Sequence, residues 1–178
     1  MAPLITPPPP LPEPQPIRHR TAEISACDRY RYRLTREWSD AVPATFVMLN
    51  PSTADADQDD ATTRKCARFA QRWGCGSRII VNLYAWRATN PSNLPADELL
   101  RVGPDNDRHL SDAAAAAHEA DGPLIAAWGA NAHLDRVAAV CALPGVGRLA
   151  CLSVTGNGQP SHPLYLNSDA TPSPWRPR

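Results

Sequence analysis

The chain has 178 residues, 20 of them proline, and sets 18 basic side chains against 18 acidic ones. That length makes one domain with appendages, long enough to bury a sizeable core. Zero formal net charge excludes a generic polycation that coats DNA or anionic membrane, but it leaves room for a local basic patch. Seventeen of the basic residues are Arg and only Lys65 is Lys. Arg presents a planar fork suited to phosphate and base edges, although a GC-rich genome produces the same bias. No stretch approaches the ~18 apolar residues of a membrane helix. The N-terminus lacks the basic and apolar regions of a secretory signal. Five scattered cysteines (27, 66, 75, 141 and 151) form no CxxC pair and no Cys/His zinc spacing, which points to reduced thiols in a cytoplasm.

Residues 1–17 are proline-rich and read as a disordered or polyproline II leader. Residues 28–37, DRYRYRLTRE, alternate charged with aromatic or apolar residues and predict a half-buried strand. ATFVML at 44–49 predicts a buried strand that stops at Asn50-Pro51, followed by an acidic loop carrying Asp55, Asp57, Asp59 and Asp60. Such a loop reads as solvated surface, or less readily as a Mg²⁺ site. Cys66, Phe69, Ala70 and Trp73 recur at helical spacing over 61–73, with Arg64, Lys65, Arg68 and Arg72 on other faces and Gly74 as the stop.

RIIVNL at 78–83 predicts the next strand, 104–119 an Ala-rich helix, 123–128 a strand, 131–143 a helix and 148–154 a fourth core strand. TGNGQPSHPLYL at 155–166 is a loop that starts a last short element, and 169–178 reads as a flexible tail. The expected domain is therefore 18–168. Strands alternating with helices predict an α/β class: a three-layer α/β/α sandwich around a central, mostly parallel four-stranded sheet. Ligands bind such sheets at the carboxyl ends of the strands. Each core strand here ends in a polar motif: Asn50-Pro51, Asn82, Trp128-Gly129 and His162-Pro163.

Asn50-Pro51-Ser52-Thr53 is either a plain turn or a carboxamide held rigidly toward a cleft, where it can position water without charge. Asn82 is either a structural clamp or a reader of an amide-like edge such as N3–C4 of a pyrimidine. Tyr84, Trp86, Arg87, Asn90 and Asn93 follow it in a proline-punctuated segment. Aromatics with Arg suit base stacking and phosphate contact. His162 is the one histidine in a strand-end loop with restrained backbone, and a neutral imidazole there can donate to a developing anion. There is no phosphate-loop consensus, GxGxxG, HExxH or GxSxG.

Read in order, these motifs resemble the uracil-DNA glycosylase superfamily. Met48-Leu49-Asn50-Pro51-Ser52 resembles its first motif, G-Q-D-P-Y or G-I-N-P-G. VNLYAWRATNPSN resembles its strand-end base-reading segment, LIAAWGANA its hydrophobic-WG-x-x-A segment, and SHPLYL its H-P-S-P-L motif. The likeness covers residues 30–168 and is closest to a bacterial and phage branch with LNPSTAD and HPLYL signatures. It departs at Leu49, where the family has Gly, and it lacks the close cysteine pair of the iron–sulfur branches.

The resemblance implies a DNA glycosylase with a uracil-DNA-glycosylase-like fold, working without metal or other cofactor. Asn50 orients the attacking water and His162 stabilises the departing base, as the catalytic pair. Asn82 reads the base, with Pro51, Ser52 and Tyr84 beside it. Ser161, Arg87, Arg64 and Arg68 grip DNA phosphates. Ser52 replaces the aromatic residue that crowds pyrimidine C5 in strict uracil enzymes, so the expected base is a modified, bulky C5-substituted pyrimidine such as a hydroxymethylcytosine. The expected partner is DNA, in particular modified phage DNA, with no membrane and no obligate protein partner. A non-catalytic nucleic-acid-binding module and a hydrolase of free nucleosides or nucleotides remain as rivals.

Overall fold

The computed structural model describes residues 15–52 and 57–177. The proline-rich leader lies almost wholly outside the described residues, as do Asp55 and most of the first half of the acidic loop. A seven-stranded sheet in the order β1-β2-β4-β3-β5-β6-β7 forms the centre. The strands are β1 (His19–Ile24), β2 (Arg31–Glu37), β3 (Pro43–Met48), β4 (Ser77–Asn82), β5 (Leu124–Ala126), β6 (Leu149–Cys151) and β7 (Ser173–Trp175). β3 pairs in parallel with β4 and β5, and β5 with β6; the β1/β2, β2/β4 and β6/β7 pairs are antiparallel.

The expected central four-stranded, mostly parallel sheet is thus corrected: the sheet is larger and mixed. Two things hid the extra strands. β1 is an exposed edge strand, HRTAEI, with no apolar face to announce it. β7 lies in the proline-rich stretch taken for a tail, where Pro174 sits on an edge strand that tolerates a missing N–H. Trp175 is the reason this stretch is ordered. It is buried, meets Trp128 edge to face at 5.2 Å, and donates its indole N–H to the Gly158 carbonyl at 3.2 Å.

Helices cover both faces of the sheet. α1 (Ala61–Arg72) is capped by Asp60, whose carboxylate accepts the Thr63 N–H at 2.7 Å. It lays Cys66, Phe69 and Ala70 against Leu34, Phe46, Met48 and Ile80. On the other face, α3 (Asn106–Glu119) and α4 (Leu134–Cys141) pack Leu110, Ala113, Ala114, Val137 and Val140 on Val47, Leu49, Val81 and Leu83. A short α2 (Glu98–Val102) precedes α3. β4 is buried at every position because both its faces are covered, which is why it reads as an unbroken apolar run. In the β3/β4 register Met48 stands beside Asn82, and in the β3/β5 register Val47 stands beside Ala126. The carboxyl ends of the three strands are therefore level, and the residues just beyond them meet in one place.

Candidate functional site

A cleft of about 640 Å³ opens at those strand ends. Asn50, Ser52, Asn82, Trp128, Gly129, Ser161 and His162 all line it, so the four strand-end motifs converge. Gly129 turns the chain into the cleft with a φ of +81°, a left-handed conformation that favours glycine. Trp128 is held behind it by an indole N–H bond to Gln159 at 2.9 Å.

Asn82 ends β4 and is wholly buried. Asn106 donates to its main-chain carbonyl at 3.0 Å, yet neither atom of its own carboxamide finds a partner among the described residues. A buried amide left in this state costs roughly 1–3 kcal/mol unless something enters to pair with it. The Asn82 side chain therefore clamps nothing among the described residues, and its carboxamide stands in the cleft lining. Asn50 is the reverse case. Its amide nitrogen donates to the carbonyls of Ala88 at 2.7 Å and Pro51 at 3.1 Å. Its carbonyl oxygen is thereby oriented as the free acceptor.

His162 starts a 3-10 turn at Pro163–Tyr165, and its Nδ1 accepts the Leu164 N–H at 3.3 Å. Burial lowers its pKa, against a smaller opposing pull from Asp60. The ring is thus neutral near pH 7, and with Nδ1 accepting, the proton resides on Nε2. Nε2–H is the donor this residue has left to offer a ligand.

Two charged groups that sequence reading missed complete the lining: Asp60 and Arg31. Asp60 belongs to the loop read as solvated surface, so that expectation is corrected for its second half. Its Oδ1 caps α1, and its Oδ2 accepts a short hydrogen bond from the Ser52 hydroxyl. Burial raises its pKa, but the bonds from Ser52 and Thr63 and the charge of Arg31 outweigh that and hold it below the usual carboxylate range. Arg31 is 2 % exposed, and burial pushes its guanidinium down to about 10 against the pull of Asp60. Asp59 is likewise structural: it takes the buried guanidiniums of Arg36 and Arg78 at 3.0 Å each. Asp60 before Ala61-Thr62-Thr63 and an apolar helical stripe is a legible N-cap signal. Arg31, inside an alternating strand, left none.

The remaining expected residues separate from the cleft. Pro51 is buried and acts through its carbonyl, which accepts from Ala88 at 2.8 Å. Tyr84 faces a neighbouring cavity with His133, and Arg101 lies over its ring at 4.9 Å, so it is not beside a base in the cleft. Arg87 pairs with Asp28 at 2.6 Å outside the cleft. Arg64 and Arg68 project from the exposed face of α1, and Arg64 donates to the Asp59 carbonyl. Ser161 alone of the expected phosphate contacts lines the cleft. No group of three His, Cys, Asp or Glu side chains that could hold a metal is gathered among the described residues.

A family model described as "Protein of unknown function (DUF1643)" matches residues 31–164. The chain belongs to the DUF1643 family. No curated protein and no solved structure matches it. The DUF1643 match runs from Arg31 in the cleft wall to Leu164 at its rim, and takes in every cleft-lining side chain except Tyr165 and Leu166. It leaves out β1 and β7, the two edge strands. No helix of this DUF1643 chain is long and apolar enough to cross a membrane among the described residues.

Proposed function

We propose that this chain is a DNA glycosylase that hydrolyses the N-glycosidic bond of a C5-substituted pyrimidine and leaves an abasic site. The observation that carries the reading is the unpaired carboxamide of Asn82, buried in a cleft that also presents the Nε2–H of His162 and the Oδ1 of Asn50. A pyrimidine edge offers one donor and one acceptor side by side. The Asn82 amide matches it in either orientation, so it serves cytosine-like and uracil-like bases alike.

The target nucleotide is flipped from the stack at a cost of ~ a few kcal/mol. The rim supports a polymeric substrate: Leu164 and Tyr165 follow His162 and are 37 % and 84 % exposed. Apolar side chains beside a base pocket can occupy the gap an extruded base leaves, as wedges do elsewhere. A free nucleoside needs no such rim. As the C1′–N1 bond breaks, its electron pair passes into the base, and His162 Nε2–H donates to the base oxygen where charge collects. Asn50 Oδ1 accepts from the water aimed at C1′. The small Ser52 keeps its hydroxyl turned to Asp60, leaving space beside the pyrimidine C5.

The rival reading as a hydrolase of free nucleosides draws on Arg87 and Arg64, whose contacts lie within the protein rather than toward the cleft. An activity confined to pyrimidines whose C5 substituent is bulkier than the methyl of thymine spares ordinary DNA, so the setting we propose is cytoplasmic defence against phages with modified genomes. The test is incubation with DNAs bearing uracil, hydroxymethyluracil, hydroxymethylcytosine or glucosylated hydroxymethylcytosine, followed by alkaline cleavage. Strand breaks confined to modified DNA are expected. DNA retention with no breaks marks a binding module, and release of base only from free nucleosides marks the rival hydrolase.

A further inference from the structure

We infer that Asp60 is a catalytic carboxylate of this cleft: it steadies the cationic sugar and takes the proton of the attacking water. The inference rests on the glycosylase reading and adds the anionic group that reading lacks. Asn50 and His162 are both neutral, while bond breaking leaves positive charge on the sugar and negative charge on the base. A neutral donor serves the base, but nothing neutral matches a cation as well as a fixed negative charge.

Asp60 has the required placement. It lines the same cleft as Asn50, Asn82 and His162. Each of its oxygens already accepts one hydrogen bond, from Thr63 N–H and from the Ser52 hydroxyl, which fixes the plane of the carboxylate. Each oxygen keeps a further lone pair for a ligand. A cap for α1 alone explains Oδ1 and the Thr63 bond. It does not explain why Oδ2 is held by a second residue of the cleft wall, nor why a buried cation of the same lining, Arg31, acts electrostatically on this carboxylate.

The step balances. The C1′–N1 bond breaks and its electron pair leaves with the base. Water oxygen bonds to C1′, and its proton passes to Asp60. Asp60 then returns that proton to the released base, so base and sugar each leave neutral and the carboxylate is restored. A weakly basic carboxylate suffices, because water bonded to a cationic carbon is strongly acidic.

Asp60→Asn separates charge from structure. Asn is as good an N-cap as Asp and keeps an oxygen for the Thr63 N–H, while the Ser52 hydroxyl can turn to accept. The full chain is assayed on the DNA that the wild type cleaves, in single turnover, with DNA affinity measured alongside. The expected result is a ~10²–10³-fold loss of rate with DNA affinity and far-UV circular dichroism unchanged. Ser52→Ala keeps the charge but frees the carboxylate, and is expected to lose about tenfold. Titration of the His162 ring by NMR gives a readout apart from activity: its pKa falls in Asp60→Asn if that carboxylate faces it. A D60N rate within threefold of wild type, or an unmoved His162 titration, overturns the inference. Wild-type protein that excises nothing from any of the DNAs overturns the glycosylase reading itself, and the step with it.

Discussion

The amide nitrogen of Asn106 donates to the main-chain oxygens of both Asn82 and Leu83, each at 3.0 Å. Asn106 is fully buried at the start of α3, so this one side chain ties the helix to the end of β4. It satisfies the strand end without touching the Asn82 side chain, which stays available to a ligand. Asn106→Ala should lower unfolding free energy by about 1–3 kcal/mol, because the Asn82 carbonyl loses this donor and the Leu83 carbonyl is left with Arg136 alone. Urea unfolding measures this. Base recognition should weaken with it, read as a larger rise in KM than fall in kcat.

His162→Ala and Asn50→Ala should each abolish abasic-site formation while leaving far-UV circular dichroism unchanged. Loss of one donor to a developing anion is worth ~10²–10³ in rate, which sets the scale for His162. Wild-type-like excision by both variants would sink the assignment.

The pH profile should carry the mark of His162. Burial lowers its pKa from the ordinary 6.5, so the folded protein takes up this proton only below that pH. Protonated Nδ1 can no longer accept the Leu164 N–H, and the bond that aims the ring is lost. The excision rate should be level around neutrality and fall below pH 6.5. The sign for stability is the same. A lowered folded pKa means the unfolded chain binds the proton first, so this contribution is present above pH 6.5 and drains away as pH falls. Rate profiles of wild type and His162→Gln, which removes the limb, decide the point.

Asp59→Ala should be among the most damaging single changes. It strips the shared carboxylate from Arg36 and Arg78, whose side chains are fully buried. Removing one partner from a buried ion pair costs about 3–5 kcal/mol. Thermal denaturation should show a fall of many degrees, while an exposed-site control such as Asp112→Ala stays near wild type.

Truncation after Ser168 should destabilise the protein rather than tidy it. It removes β7 and the Trp175 ring that packs on Trp128, and a buried aromatic of this size is worth on the order of 3 kcal/mol or more. Because Trp128 and Gly129 line the cleft, the loss should also reach activity.

The elements legible in the sequence were those with a strong period. The apolar runs 44–49 and 78–83 are β3 and β4, and the Cys66, Phe69, Ala70 stripe is the buried face of α1. β1 and β7 escaped because edge strands carry little apolar signal, and proline counts against a strand unless its edge position is known. In the cleft, Asn50 and Asn82 were legible because they stand at the carboxyl ends of β3 and β4, which run parallel; His162 was legible from its proline-restrained loop, which starts beyond β6. Asp60 carried a cap signal for α1, but spacing among neighbouring aspartates cannot say which carboxylate also turns toward the cleft. Arg64, Arg68, Arg87 and Tyr84 had the right chemistry at plausible spacing, but the turns that follow β4 and the exposed side of α1 carry them away from the cleft.

Arg31 and Asp60 give the cleft lining one fixed positive and one fixed negative charge that act on each other, with little net charge between them. Such a pair exerts a field rather than a pull. It neither gathers anions nor repels them at a distance, yet it imposes a direction on any polar ring that enters. On the proposed function, a pyrimidine with a large dipole would be oriented by this field as it enters. Bases of similar shape but different polarity would then be sorted by how they lie as much as by how tightly they are held.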